Sequence, residues 1–416
     1  MGSRSYSYQL CRGINHSPTI WVRFGDCSLS NTIFVVKVIL LYISFPHQLL
    51  HALAAVKHEQ LQNQDLVNIP KAILIWCYDA AQHLPNSPFR QQFAALLRGY
   101  PEIDVWMPNY IFRVVQLSPF RSVSTRAGVF KRWLANRSVA LVAYSHDMSA
   151  DHTAQALFQA CPFAWRMCFG DPPGFLYSNQ EIQRTTLPNN SFFRRLMGGA
   201  KPLDDGFRWL YANSNRIPIV FGTPTTSGLV TQIPITVLLE TLELLRSGLV
   251  ELQYLCRRWL EENTCPLERP CLLLLSNLTE TGITTRESEV DLYRSIVRSS
   301  LPAGSHIFIK PHPGTSNRML GLIKLALRDY RISILPSHIG FAPVEILAEF
   351  VDACRIYSIS SASVLLIKLF NSNIETHCLT NDLIKAYFKP QWQDYFIRAN
   401  DAIIKAINSR QDDLYN

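Results

Sequence analysis

The stretch CLLLLS at residues 271–276 is a run of five apolar residues that ends in a serine. Continuous apolar runs of this length are typical of strands covered on both faces, as in a parallel sheet. Similar runs follow along the chain, separated by amphipathic segments: SHIFIK (305–310), RISILP (331–336), CRIYSI (354–359) and IETHCL (374–379). This alternation predicts a doubly wound α/β unit in the second half of the chain.

The first half of the chain shows the same alternation. Its candidate strands are VILLYIS (38–44), AILIWCY (72–78), IDVWM (103–107), VALVAYS (139–145) and FAWRMCF (163–169). We therefore predict two doubly wound, Rossmann-like halves that face a central cleft. In such folds, ligands bind at the carboxyl ends of the parallel strands.

Residues 217–230, IPIVFGTPTTSGLV, are rich in Gly, Pro and Thr, as is typical of a connection between domains. One long helical stretch, residues 234–263, comes after them. The predicted organisation has five parts: an irregular N-terminal extension (1–32), an N-terminal Rossmann-like domain (33–230), a helical linker (231–265), a C-terminal Rossmann-like domain (266–393) and a C-terminal helix (394–416).

Composition limits the classes of function. The chain has 416 residues, 48% of them apolar and 17% charged, which is typical of a globular protein with more than one core. The net charge of +8 favours an acidic partner: a phosphorylated substrate, an anionic membrane surface or nucleic acid. Nucleic acid is disfavoured because the Lys and Arg residues are dispersed and do not interleave with aromatics. Ten cysteines without a CxxC pair indicate reduced thiols in a cytosolic protein.

An apolar run begins at Thr32, TIFVVKVILLYISFPHQLLHALAAV. Lys37 and Pro46 interrupt this run, and a membrane-spanning helix would need an unbroken one. A buried strand, a tight turn and a helix over 47–58 are therefore predicted in its place.

Lys310 and His312 directly follow the strand SHIFIK, within the segment FIKPHPGTS (308–316). Pro311 and Pro313 stiffen the backbone around the histidine. Both side chains can donate hydrogen bonds to phosphate oxygens, so the segment fits an anionic ligand. The structural alternative is a histidine that only hydrogen-bonds within a proline-rich turn.

The strand at 272 leads into a hydroxyl-rich loop that contains Ser276 and Thr279. In the same stretch, the spacing of Thr284 and Glu287 matches a capping box, which predicts the start of a helix.

Two further helix starts carry polar residues. Glu345 lies in the first turn of the helix predicted for FAPVEILAEF (341–350). Ser360 and Ser361 stand between the strand YSIS and an apolar helix, where hydroxyls and backbone N–H groups can bind an anion. Ordinary capping of the helix is the alternative role for the serines.

KPHP (310–313), PVEIL (343–347) and the Ser360-Ser361 pair together resemble the motifs of bacterial sialyltransferases and polysialyltransferases of the GT-B type. The order and spacing of this resemblance run from about Val38 to Ile403, and the second half carries the motifs. It implies a GT-B-like α/β fold with two Rossmann-like domains. It also implies inverting, metal-independent transfer of sialic acid, or a similar nonulosonic acid, from its CMP-activated donor to a glycan hydroxyl, in the synthesis of cell-surface polysaccharide or lipo-oligosaccharide.

The resemblance also implies roles for individual residues. His312, Ser360 and Ser361 would bind the donor phosphate, and Glu345 would bind the cytidine ribose. Loop 276–285 would cover the nucleotide. Because the donor carries a single phosphate, Lys310, His312 and the serines could neutralise it, and no cofactor or metal is expected.

Inverting transfer requires a carboxylate that takes the proton of the acceptor hydroxyl. Asp204 and Asp205 belong to the triplet Asp-Asp-Gly that the related families use, but no predicted strand precedes them. Asp171, in the sequence GDPPG, follows the strand FAWRMCF, although Pro172 replaces the second acid. The strand context favours Asp171 as the base, because a carboxylate in a cleft can be held and desolvated. Asp204 stays the second candidate.

Gln48 and His146 follow predicted strands of the first half, on the side where related enzymes contact the acceptor. We expect both to bind the glycan acceptor, with helix capping or loop packing as the alternatives. The predicted partners are a nucleotide-sugar donor and a glycan acceptor, without nucleic acid. The predicted location is the cytoplasm, where the basic protein could contact the anionic inner face of the cell membrane.

Three other functions fit some of these features. Polyol-phosphate transferases of wall teichoic acid synthesis also place a His-Pro segment after a strand and use a cytidine nucleotide, and other GT-B glycosyltransferases share the fold. A non-catalytic homologue that binds nucleotide or glycan would explain why the acidic triplet is missing from its expected place. The sequence contains no P-loop, GxSxG or HExxH motif, which disfavours ATPases, esterases and metalloproteases.

Overall fold

Two five-stranded parallel sheets form the frame of the protein. The computed structural model describes residues 36–43, 48–67, 72–76, 103–106, 122–134, 137–145, 153–169, 212–220, 226–264, 269–312, 314–340, 342–359, 362–370, 374–377 and 379–415. The predictions for His146, Asp171, Asp204, Asp205, Pro313, Ser360 and Ser361 lie outside these residues.

The first sheet has the strand order β3-β2-β1-β4-β5, and all neighbouring pairs are parallel. Its strands are β1 (Val36–Ile43), β2 (Ala72–Trp76), β3 (Ile103–Trp106), β4 (Arg137–Ser145) and β5 (Trp165–Phe169). All five predicted strands of this half are confirmed. The apolar run after Thr32 enters β1, the central strand, where Leu40 and Leu41 are both fully buried because the sheet is covered on both faces.

The second sheet repeats the order as β10-β9-β8-β11-β12, again all parallel. Its strands are β8 (Cys271–Leu274), β9 (His306–Lys310), β10 (Arg331–Ile334), β11 (Arg355–Ser358) and β12 (Thr376–His377). Leu272 and Phe308 face one core and Leu273 and Ile309 the other, so this sheet is also covered on both faces. The prediction of two doubly wound α/β halves is confirmed. A short parallel pair, β6 (Ile217–Ile219) and β7 (Val230–Gln232), stands beside the first sheet.

The described helices connect and cover these strands. They are α1 (Gln48–Gln62), α2 (Gln64–Val67), α3 (Val123–Trp133), α4 (Thr153–Ala160), α5 (Ile235–Ser247), α6 (Val250–Asn263), α7 (Arg286–Ser300), α8 (Asn317–Ala326), α9 (Ser337–Gly340), α10 (Ala348–Ala353), α11 (Ala362–Phe370), α12 (Asn381–Tyr387) and α13 (Pro390–Tyr415). A 3-10 turn covers Val344–Ile346. None of the helices in the described part of the chain is long and apolar enough to cross a membrane.

Two helices replace the single helical stretch predicted at 234–263. The chain turns at Gly248 and Leu249, where the N–H of Gly248 donates to the Leu244 carbonyl and α5 ends. This break lets both α5 and α6 place apolar side chains in one core that also contains residues of both large sheets, such as Leu41 and Leu272. The described residues from Val36 onward pack as a single compact unit, and the predicted domain boundaries stay predictions.

Candidate functional site

The carboxyl ends of β9, β8 and β11 form one polar edge of the second sheet. Lys310 on β9 pairs with Leu274 on β8, and Leu274 pairs with Ser358 on β11. Since paired residues of neighbouring parallel strands point to the same face, Lys310 and Ser358 flank Leu274 and project from the same face of the sheet. The strand order reverses at β8, which makes this edge the topological switch point where doubly wound folds bind ligands.

Lys310 places a cation in a dry part of this edge. The residue keeps some solvent exposure as a whole, while burial of its amine lowers the pKa of Lys310 from 10.5 to about 8. The negative charge of Glu345 acts in the opposite direction and favours the ammonium form. Lys310 is therefore a cation near neutral pH, held beside a buried carboxylate.

Glu345 lies in the 3-10 turn Val344–Ile346 and is only 1% exposed. Two side chains from the preceding helices hold the backbone of this turn. Arg246 of α5 donates to the Glu345 carbonyl at 2.8 Å, and Gln253 of α6 donates to the Ile346 carbonyl at 2.9 Å. The helical linker thus fixes the acid that faces Lys310, and the predicted contact of Glu345 with a ribose stays a prediction.

His312 sits in a tight turn just beyond β9. The backbone N–H of Gly314 donates to Nδ1 of His312 at 3.0 Å, and the N–H of Thr315 donates to the His312 carbonyl at 2.8 Å. Because Nδ1 accepts a hydrogen bond, Nε2 carries the proton of the neutral ring. The ring can therefore offer an N–H donor to an anion even when it is uncharged.

The loop after β8, residues 275–285, is held by two buried acceptors on α7. The N–H of Ser276 donates to the Tyr293 hydroxyl at 2.6 Å, and the N–H of Thr279 donates to Oε2 of Glu289 at 2.8 Å. Burial raises the pKa of Glu289 above its usual value and raises that of Tyr293 well above its own. Glu289 and Tyr293 lie four residues apart and so share one helix face.

Sequence reasoning missed Glu289 and Tyr293, because an acid and a tyrosine on an amphipathic helix resemble ordinary surface and core residues. It also misplaced the start of α7 by one residue. The N-cap is Thr285, whose side chain accepts from the Ser288 N–H at 3.1 Å. Thr284, predicted as the capping residue, donates instead to the Tyr387 carbonyl at 2.6 Å and ties the loop to α12.

Five of the donor-binding residues predicted from the sequence lie within the described ranges of the second half. All five are near this polar edge: Ser276, Thr279, Lys310, His312 and Glu345. Ser358 and Thr315 are additions, since each has a buried hydroxyl that finds no hydrogen-bond partner within the described ranges. Gln48 lies in the other half, at the start of α1 near the carboxyl end of β1, and is fully buried. Its role with an acceptor stays a prediction.

No group of three or more His, Cys, Asp or Glu side chains that could hold a metal ion occurs among the residues that the structure describes. The predicted independence from metal stays a prediction.

GT-B-type glycosyltransferases are built from two Rossmann-like halves. The protein has two such halves, and the second carries this polar edge at its switch point. Residues 243–380 match the family model Alpha-2,8-polysialyltransferase (POLYST). This third of the chain contains the whole second sheet, the 3-10 turn with Glu345 and the His312 turn. The resemblance predicted from the sequence is confirmed for this region, which is similar to a polysialyltransferase domain.

Solved structures with similar folds include MurG of Acinetobacter baumannii, which is 11% identical, with a TM-score of 0.38 and coverage of 90% of this chain and 94% of that chain. UDP-GlcNAc 2-epimerase of Neisseria meningitidis, bound to UDP-GlcNAc, is 11% identical, with a TM-score of 0.45 and 79% coverage of both chains. UGT2 of Phytolacca americana, complexed with UDP-2fluoro-glucose and pterostilbene, is 9% identical, with a TM-score of 0.48 and coverage of 88% and 84%. A search of curated proteins gave no match.

Proposed function

We propose that the protein transfers sialic acid, or a similar nonulosonic acid, from its CMP-activated donor to a hydroxyl of a glycan acceptor. The observation that carries the proposal is the pairing of Lys310 and the His312 turn at the switch point of the second sheet, inside the region that matches the polysialyltransferase family. A single phosphate needs one or two positive or N–H donor groups, and this edge supplies both kinds.

In the proposed complex, the phosphate of the donor lies against His312 and Lys310, with Ser360 and Ser361 as further donors. The nucleoside lies along loop 275–285, near Ser276 and Thr279, and Glu345 contacts the ribose. The positive charge of Lys310 is partly compensated by the negative charge of Glu345. The site can therefore stay folded and dry before the ligand binds.

The reaction needs one bond to form and one to break. The acceptor oxygen bonds to the anomeric carbon on the face opposite the phosphate, the bond from that carbon to the phosphate oxygen breaks, and CMP leaves with the bonding electron pair. A carboxylate takes the acceptor proton. Asp171 is our first candidate for this base, with Asp204 and Asp205 next, and the transfer inverts the configuration without a metal ion. Lys310 and His312 stabilise the charge that develops on the leaving phosphate.

The acceptor would be a cell-surface polysaccharide or lipo-oligosaccharide, contacted by Gln48 and His146. A cytoplasmic location with peripheral contact to anionic lipid accompanies the proposal. The net charge of +8 supports that contact.

Thermal denaturation with CMP, CDP, UDP or ADP tests the nucleotide. Stabilisation by CMP above the others supports the proposal, a preference for CDP would favour a polyol-phosphate transferase, and no stabilisation by any of them would refute a nucleotide site. CMP release from CMP-sialic acid by Asp171→Ala, Asp204→Ala and Asp205→Ala then assigns the base. Turnover that survives Asp171→Ala and is lost in Asp204→Ala would overturn our first choice.

A further inference from the structure

Asn277 is a residue of the loop after β8 that neither the sequence motifs nor the proposed roles include. It follows Ser276, and its carbonyl accepts hydrogen bonds from the N–H and the hydroxyl of Thr281, at 3.2 and 2.7 Å. The backbone of Asn277 is therefore fixed by a turn of its own loop. These two hydrogen bonds use the backbone carbonyl of Asn277 and do not involve its side-chain amide.

The amide of Asn277 packs against the His312 turn. A Cβ atom built on Gly314 would lie 2.5 Å from Nδ2 of Asn277 and 3.3 Å from Nδ1 of His312. Only a glycine at position 314 leaves room for the amide at this distance. The ends of β8 and β9 thus bring a carboxamide and an imidazole to the same small space.

The amide has an unmet need for hydrogen bonds. Its Oδ1 is buried and has no hydrogen-bond partner within the described part of the chain. An acceptor buried in this way costs free energy unless a donor group, such as a hydroxyl of a ligand or a water molecule, completes it, while the Nδ2 group that lies toward Gly314 is the donor that can meet a phosphate oxygen. Asparagine also offers two N–H donors, and the oxygen and nitrogen exchange places by a half-turn of the group.

The loop cannot easily move the amide elsewhere. Tyr293 and Glu289 of α7 hold the N–H groups on either side, at Ser276 and Thr279, and both acceptors are fully enclosed. The position of Asn277 beside His312 is consequently preorganised, which is what a ligand-binding group requires.

We propose that the Asn277 amide binds the phosphate of the nucleotide next to His312, as a donor-binding residue of the site. The inference rests on the proposed function, since it takes the phosphate to lie at the His312 turn. It adds a neutral donor to the cationic Lys310, and it gives a reason for glycine at position 314.

The test measures the affinity of the full-length protein for CMP and for cytidine, by competition with a fluorescent CMP analogue. We expect Asn277→Ala to weaken CMP about tenfold, the effect of one hydrogen bond to a charged group, and to leave cytidine unchanged. Asn277→Asp should weaken CMP further, because it places a carboxylate beside the phosphate.

Gly314→Ala is a second variant that removes no polar group but displaces the Asn277 amide, and it should also weaken CMP. Its matched control is Gly321→Ala in α8, where the added methyl meets open space and CMP affinity should stay at the wild-type value. If Asn277→Ala fails to fold, Asn277→Asp keeps the proposal testable, since the Cβ added at position 314 also approaches Nδ1 of His312 at 3.3 Å.

Each result decides between the claims. Wild-type CMP affinity in both Asn277→Ala and Gly314→Ala, together with weakened binding in His312→Ala, would overturn the role of Asn277 and leave the proposed function standing. Equal loss for CMP and cytidine would move the contact to the nucleoside, and unchanged CMP binding in Asn277→Asp would remove the contact, so either result would overturn the phosphate assignment. No binding of CMP by the wild type would overturn both the inference and the proposed function.

Discussion

The hydroxyl of Tyr293 accepts the backbone N–H of Ser276 at 2.6 Å, deep beneath the loop that follows the first strand of the second sheet. Tyr293 is fully buried, and its hydrogen bond to the loop is partly buried. Four residues earlier on α7, Glu289 holds the N–H of Thr279 in the same way. The loop that we propose to cover the nucleotide is shaped from below by one face of a helix.

Tyr293→Phe should therefore weaken both the fold and donor binding. The substitution keeps the ring but leaves the partly buried Ser276 N–H without its acceptor, which costs about 1 kcal/mol. We expect a lower midpoint of urea unfolding and a higher KM for the CMP donor, with a smaller change in kcat. Tyr330→Phe is the matched control, since the Tyr330 hydroxyl makes only a 3.4 Å hydrogen bond far from the loop. A KM equal to that of the wild type in Tyr293→Phe would show that the loop does not touch the donor.

Glu289→Gln and Glu289→Leu distinguish the hydrogen bond that Glu289 accepts from its negative charge. Glutamine keeps an oxygen for the Thr279 N–H, so it should retain most of the donor affinity, whereas leucine should lose it. Equal donor affinity in the two variants would contradict the role of this hydrogen bond.

The titration of Glu289 should appear in the pH dependence of stability. Burial raises the pKa of Glu289 above 4.5, so just above pH 4.5 the folded state keeps a proton that the unfolded chain has lost. In that window this carboxyl makes the free energy of unfolding fall as the pH rises. Urea unfolding of Glu289→Gln between pH 4 and pH 7 should show a flatter dependence than that of the wild type. The same slope in both proteins would contradict the raised pKa.

CMP affinity should fall as the pH rises through about 8, because burial lowers the pKa of Lys310 to about 8 and the neutral amine no longer attracts phosphate. Binding of the phosphate itself favours the ammonium form and moves the transition of the complex upward. Titration of CMP binding between pH 7 and pH 10 measures this effect. Lys310→Met removes the titrating group, and its weaker affinity should not change over the range. A wild-type affinity that is flat to pH 10 would mean that Lys310 does not meet the phosphate.

Glu345→Gln should shift the same transition to lower pH. The carboxylate of Glu345 supports the charge on Lys310, so its removal leaves only the effect of burial on that amine. We expect weaker CMP binding at pH 8 and a smaller difference from wild type at pH 6. Asp352→Asn, a change of an exposed acid on α10, is the control for the loss of one negative charge. If the pH dependence of CMP affinity in Glu345→Gln equals that of the wild type, Glu345 does not act on the charge of Lys310.

Much of the fold follows from the sequence, because strands buried on both faces leave a plain signal. Leu272 and Leu273 point to opposite cores, so the whole stretch CLLL had to be apolar. The break between α5 and α6 left a weaker signal, since Gly248 lies inside a continuous helical pattern and a glycine there is compatible with either one helix or two.

The site was predictable where motif and strand end coincide, as at Lys310 and His312. Tyr293 and Asn277 could not be found in this way, because their roles come from hydrogen bonds and packing between segments far apart in the chain. Thr284 was misassigned because Thr285 offers the same hydroxyl one position later, and only the tertiary contact with Tyr387 decides between them.

The most direct test of the central claim is the rate of CMP release from CMP-sialic acid in the presence of a glycan acceptor, compared between the wild type and His312→Ala. We predict acceptor-dependent release by the wild type and a loss of roughly a hundredfold or more in His312→Ala, the effect of removing one donor that stabilises charge in the transition state. Release that is equally fast in His312→Ala, or its absence in the wild type, would contradict the account.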